Sequence, residues 1–151
     1  MSSYLVYWKP KNVNWDDPSS KEIWHAASNQ FRKVHSGDRL YFITYHRGAY
    51  FLIGRMIVHK VTGELEAAKY LGCQPDEMTW HADYHALSTE SDVMPAATIR
   101  CEDALKKLLV ISGAKPQPIK QPFIPTGFQT MRLLTRGSAH LLDDLLAATK
   151  A

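Results

Sequence analysis

The chain has 151 residues, a formal charge of +3 and a pI near 8.8, a size that suits one domain, residues 1–151, able to bury a core without metals or disulfides. Its two cysteines, Cys73 and Cys101, stand far apart without CxxC spacing, which argues against a zinc finger or a disulfide scaffold and for reduced thiols in a cytoplasmic protein. No run approaches the ~18 apolar residues of a membrane helix, no signal peptide is expected, and the mild basicity admits nucleic acid without the Lys/Arg clusters of a dedicated phosphate binder.

Tyr4–Trp8 (YLVYW) is β-branched and aromatic and predicts a first strand that stops at Pro10. Lys11–Asp17 is polar with a single Trp and predicts a loop. Ser19-Ser20-Lys21-Glu22 has the form of a capping box, and Ile23, Ala27 and Phe31 then give one apolar helical stripe. After a turn at His35–Asp38, Arg39–Tyr45 reads as a strand apolar on both faces. His46–Ala49 turns the chain into a long strand, Tyr50–Val61, with Tyr50, Leu52, Gly54, Met56 and Val58 on one face. Gly54 in mid-strand suggests a bend or bulge. Thr62–Leu71 predicts a helix capped by Thr62 and ended by Gly72. Met78–Leu87 alternates as a half-buried strand, Ala96–Arg100 suggests another, and Cys101–Val110 has a helical stripe. Pro116–Pro125 must be extended, Phe128–Leu134 predicts a last strand, and Thr135 caps a final helix with Leu142, Leu145 and Leu146 on its stripe. This order predicts an α+β fold, a small mixed β-barrel with packed helices.

For catalysis, no nucleophile elbow, HExxH or phosphate-cradling glycine loop occurs. The pairs Asp16-Asp17 and Asp143-Asp144 read as a loop and a solvated helix face. His81, Asp83 and His85 share one face of the predicted strand and could hold a metal only with a further ligand; a metal-dependent hydrolase is a minor alternative, and no cofactor is expected. Base recognition needs aromatic faces and groups that read a base edge. Candidate rings at strand ends are Trp8, Trp15, Trp24 and Tyr45, with Trp15 set among Asn12, Asn14 and Asp16. Trp80 falls on the apolar face of a strand and reads as core. Lys9, Lys11, Arg47 and Arg132 flank the same strand ends and are candidates for phosphate contacts.

The run YLVYWKP, the Trp-bearing loop and helix after it, and GDRLYFITYHRGAYFLIGRMIVHKV together resemble EVE domains and their YTH and PUA-like relatives. The tail FQTMRLLTRGSAHLLDDLL resembles the closing strand and helix of EVE-like modules of modification-dependent restriction enzymes. The resemblance implies a PUA-like barrel that binds a modified base, flipped from DNA or RNA, in an aromatic cage and is no enzyme itself. By position it places Trp15 or Trp24 at the cage Trp, Tyr45 at the pocket border, and Gln129 and Arg132 on the closing strand. With Trp8 and Asn14 these make the expected base pocket. The later cage Trp of YTH domains has no match between Gly63 and Thr79, a departure that argues against N6-methyladenine as the particular ligand; a modified cytosine or another modified base fits as well. A separate nuclease or defence-system protein is an implied partner, and a protein-interaction adaptor on the same barrel is the alternative reading.

Overall fold

A computed structural model of the protein describes residues 1–12, 25–78, 80–88 and 99–148. Its centre is a five-stranded sheet. β1 (Ser3–Tyr7) runs parallel to β3 (Arg39–His46), which turns into β4 (Ala49–Ile57); β10 (Arg132–Leu133) pairs with β1 and β7 (Ile99–Arg100) with β4. β3 is apolar on both sides because both sides are covered, and Leu40, Tyr41, Phe42 and Ile43 are each 0% exposed. On one side lies a three-stranded antiparallel sheet in the order β2 (His25–Ala27), β6 (His85–Leu87), β5 (Lys60–Thr62). Tyr4, Trp8, Phe42, Met56 and Ala86 fill the core between the sheets. On the other side Leu5, Tyr41, Ile43 and Leu52 meet Leu105 of α2 (Glu102–Leu105) and Leu142 and Leu146 of α3 (Arg136–Ala148). The molecule is a mixed α+β structure, as the element order predicts.

The expected long strand from Tyr50 to Val61 divides. The amide of Val58 donates to Asp38 O (2.8 Å), and that of His59 to Leu87 O (2.7 Å), so the chain leaves the large sheet and enters the small one as β5. Gly54 marks the bulge it suggests: the register passes from Phe42↔Gly54 to Ile43↔Leu52. The inserted Ile53 reverses the alternation. Tyr50 and Leu52 therefore face the helices while Ile53 and Met56 face the other sheet, and the predicted single face is split.

Other elements depart from their local signals. The predicted helix after Ser19 is, in its described part, β2 and a 3₁₀ turn, Asn29–Lys33. Ser28 is extended (φ −165°) and its hydroxyl accepts the Gln30 amide, a local bond that competes with helix. Pairing of β2 with β6 then outweighs helical propensity. Cys101–Val110 forms only the short α2, because Leu109–Ser112 (β8) pairs with Lys115–Pro118 (β9) across a turn at Gly113, φ +67°. Val110 and Ile111 favour that strand, and the prolines are tolerated on its edge partner. Among the described residues of the predicted strands Met78–Leu87 and Phe128–Leu134, His85–Leu87 and Arg132–Leu133 pair as strands, and Leu134 makes an isolated bridge to Val110. The helix at 62 begins later, as α1 (Glu64–Leu71), with Gly63 at its N-cap and Gly72 closing it at φ +73°. Thr135 caps α3, accepting from the Ser138 amide at 3.2 Å. Asp143 corrects the reading of a solvated pair: Asp144 is exposed, but Asp143 faces inward and binds Arg39, Tyr41 and Arg55.

Candidate functional site

Parallel pairing brings the C-terminal ends of β1 and β3 out at one end of the sheet, where the Trp8 amide donates to Ile43 O at 2.8 Å. A pocket of about 100 Å³ opens there, lined by Val6, Tyr7, Trp8, Ala27, Ser28, Gln30, Phe31, Gln129 and Met131. Trp8 and Phe31 are the buried rings among these. Gln30 ties the 3₁₀ turn to the chain entering β10. Its Nε2–H donates to Gln129 O (2.6 Å) and its Oε1 accepts the Met131 amide (2.5 Å). Ser28 Oγ accepts the Gln30 amide at 3.1 Å and keeps its own proton to donate. One wall of the pocket is thus aromatic and the other carries an amide, a hydroxyl and the side chain of the exposed Gln129.

The structure brings Trp8 and Gln129 together in this pocket. Tyr45 is elsewhere, on the helix-side face of β3 with its ring 4.8 Å from Tyr50. Asn14, Trp15 and Trp24 lie outside the described residues. Lys9 and Lys11 are exposed just after Trp8, and Arg47 is exposed at the β3–β4 turn, at the same end of the sheet. Arg132 is paired opposite Leu5, bonds Gly127 O (2.9 Å), and lines a different cavity. Sequence reasoning missed Ser28, Gln30 and Phe31, because the capping box ahead of them favours a continuous helix, and Met131, which falls inside the predicted last strand. It also missed the exposed Arg32 and Lys33, which follow Phe31 directly.

Trp80 is half-buried, with its ring 5.3 Å from Trp8 and 5.5 Å from His25. Its indole Nε1 is buried with no acceptor among the described residues. The three side chains at 81, 83 and 85 do not converge. His85 is fully buried and meets His25 (Nδ1 to Nε2, 2.6 Å), while His81 is exposed beside Glu64 (2.8 Å) and Asp83 is exposed. No group of three metal-ligating side chains occurs among the described residues. Burial, then the neighbouring His85, pushes His25 down to about 4, so it is neutral at pH 7.

Arg47 carries a backbone cost. The two turn residues, Arg47 and Gly48, have φ +50° and +79°, the type I′ pattern in which Asn-Gly is preferred. Arg47→Asn should raise the unfolding free energy by about 0.5 kcal/mol, since Asn tolerates this conformation better. The urea midpoint checks this, and a lowered midpoint would show that the Arg47 side chain stabilises the turn.

No protein-family model and no curated protein sequence matches the chain. Among solved structures, a hypothetical protein from Leishmania major superposes with a TM-score of 0.55 at 10% identity, over 100% of this chain and 98% of that one. A Rhodopseudomonas palustris protein solved by NMR gives 0.52 at 13% identity, over 98% of this chain and 94% of that one. The chain shares their fold. At these identities the likeness extends to the fold alone, and it covers nearly the whole length of each chain.

Proposed function

We propose that the chain is a nucleic-acid-binding module that holds a modified base, flipped from its strand, in the pocket at the Trp8 end of the sheet. The observation that supports this most is the meeting in one pocket of an aromatic wall (Trp8, Phe31) and edge-reading groups (Ser28, Gln30, Gln129), with exposed cations close to the lining residues in sequence at Lys9, Lys11, Arg32 and Lys33, and Arg47 at the same end of the sheet. Stacking on such a ring contributes roughly 1–3 kcal/mol per base. The hydroxyl and amides suit a base edge, and the cations suit phosphates without reading sequence. In this reading the two sheets form one small PUA-like, EVE-like barrel with the pocket at its mouth. A space of about 100 Å³ is below the ~300–1,000 Å³ of ordinary small-molecule sites. It suits a base edge, and the resemblance names Trp15 or Trp24 for the second ring. Arg47, kept at a turn position that prefers Asn, is read as a phosphate contact on the rim.

The test is a titration with short oligonucleotides bearing different base modifications, followed by tryptophan fluorescence at several salt concentrations. One modification should bind preferentially, with affinity falling as salt rises. Trp15→Ala should abolish that preference and leave the thermal midpoint nearly unchanged. If no plain or modified oligonucleotide alters the signal at low salt, the reading fails.

A further inference from the structure

A second cavity, of about 280 Å³, lies under the segment between β9 and β10 and is lined by Ile119, Pro122, Phe123, Ile124, Phe128 and Arg132, with Lys120 at its rim. Its walls are almost wholly apolar, yet a guanidinium is set into them. Arg132 Nη2 donates to Gly127 O at 2.9 Å, while its Nε is buried and has no acceptor among the described residues. Behind the wall, Tyr50 packs edge-on against Phe128 (5.3 Å) and Phe123 (6.1 Å), and its hydroxyl is also buried without a partner among the described residues. Among the described residues no acidic side chain lines the cavity, and Lys120 and Arg132 make it cationic.

We propose that this cavity binds a small monocarboxylate with an apolar body, its carboxylate on Arg132 and its body among Phe123, Ile124 and Phe128. A carboxylate matches the fork of a guanidinium, and Arg132 gives one N–H to Gly127 O, which leaves other N–H groups at the cavity lining for an anion. The mostly apolar walls disfavour a phosphate, whose further oxygens would be stripped of water against Phe123, Ile124 and Phe128, with Lys120 and Gln121 the other polar side chains of the lining. The volume lies just under the ~300–1,000 Å³ span of small-molecule pockets, which fits one compact ligand rather than a peptide or a helix. Arg132, expected from the sequence at a phosphate, is thereby assigned another anion. This inference does not rest on the base-binding reading, because the two cavities share no lining residue.

The experiment is NMR chemical-shift titration of the full chain with 3-phenylpropionate, its uncharged amide and inorganic phosphate. The acid should move the resonances of Ile124, Gly127 and Phe128 saturably, and bind at least about tenfold more tightly than the amide, the difference a charge-assisted bond makes. Phosphate should leave those resonances unmoved. Arg132→Gln should erase the preference for acid over amide, and Arg132→Lys should keep part of it. The comparison of acid with amide uses the unaltered chain, so it stands even if a variant folds poorly. Equal binding of acid and amide, shifts confined to other residues, or no shift at millimolar acid overturns the proposal.

Discussion

Replacing Asp143 by alanine should lower the unfolding free energy by about 2–4 kcal/mol and the thermal midpoint by roughly 5–15 °C. The Asp143 carboxylate accepts the Tyr41 hydroxyl and an Arg55 N–H, each at 2.7 Å, and an Arg39 N–H at 3.2 Å. It is the joint between α3 and the sheet, binding neighbouring strands β3 and β4 from one point. Tyr41 is 0% exposed, and burial first, with the bond to Asp143 second, pushes its phenol up to about 12. Without the carboxylate that hydroxyl is buried with no acceptor among the described residues, and Arg39 and Arg55 lose the counter-charge they share. Arg39, Arg55 and Asp143 keep 29%, 17% and 21% of their side-chain surface, so water softens the loss below the ~3–5 kcal/mol of a fully buried pair. Asp143→Asn keeps an acceptor for Tyr41 and loses the charge, so it should fall between alanine and wild type. Asp144→Ala is the control: its side chain is 72% exposed, with His140 at 3.7 Å as its ion-pair partner among the described residues, and it should change stability by under about 0.5 kcal/mol. Urea melts of the three variants decide the matter. A loss at Asp143→Ala no greater than at Asp144→Ala would remove the joint.

That joint was half legible in the sequence. Ala139, Leu142 and Leu146 mark the inward stripe of α3, and position 143 stands four residues after Ala139 on the same stripe. Adjacent acids look alike by composition, and only periodicity separates Asp143 from Asp144. The hairpin was legible for the same kind of reason. Its strands are apolar on both faces, and Gly54 signals the bulge. The division at Val58 was not, because the bonds that redirect the chain come from Asp38 and Leu87, both remote in sequence. The candidate pocket was legible only in part. Trp8 and Gln129 stand at strand ends and could be read from there. Ser28 and Gln30 stood inside a strong helix signal, and their roles depend on partners near residue 130 that no local pattern reveals. Tyr45 was misplaced relative to the pocket because strand alternation puts it on the helix side, opposite Trp8.

The second large effect concerns acid. Through the His25–His85 pair, stability should fall by about 2–3 kcal/mol as the pH drops from 6.5 to 4. His85 Nε2 lies 3.1 Å from Ala82 O, a carbonyl that can only accept, so this nitrogen carries the proton. His85 Nδ1 is then the acceptor, and His25 Nε2–H donates to it across 2.6 Å. One further proton in this pair places two N–H groups face to face in a buried site. Burial first and His85 second hold His25 down to about 4, against ~6.5 in the unfolded chain. The unfolded chain therefore takes up its proton first. The stabilisation is whole above pH 6.5 and is lost as the pH falls towards 4. At pH 4 about half of the folded chains already hold the proton on His25, which keeps the expected loss under the ~3.4 kcal/mol that the whole shift would give. The consequence reaches the pocket. β2 carries His25 at one end, Ala27 and then Ser28 line the pocket, and β2 is held to β6 by the pairing of Ala27 with His85. Acid should therefore loosen this wall before the large sheet unfolds. Histidine ring NMR should show His25 titrating far below pH 6, and urea melts at pH 7 and 4.5 should differ less in His25→Phe than in the wild type. A His25 ring that titrates near pH 6.5, or an acid loss identical in the variant, would assign the acid sensitivity to the carboxylates instead.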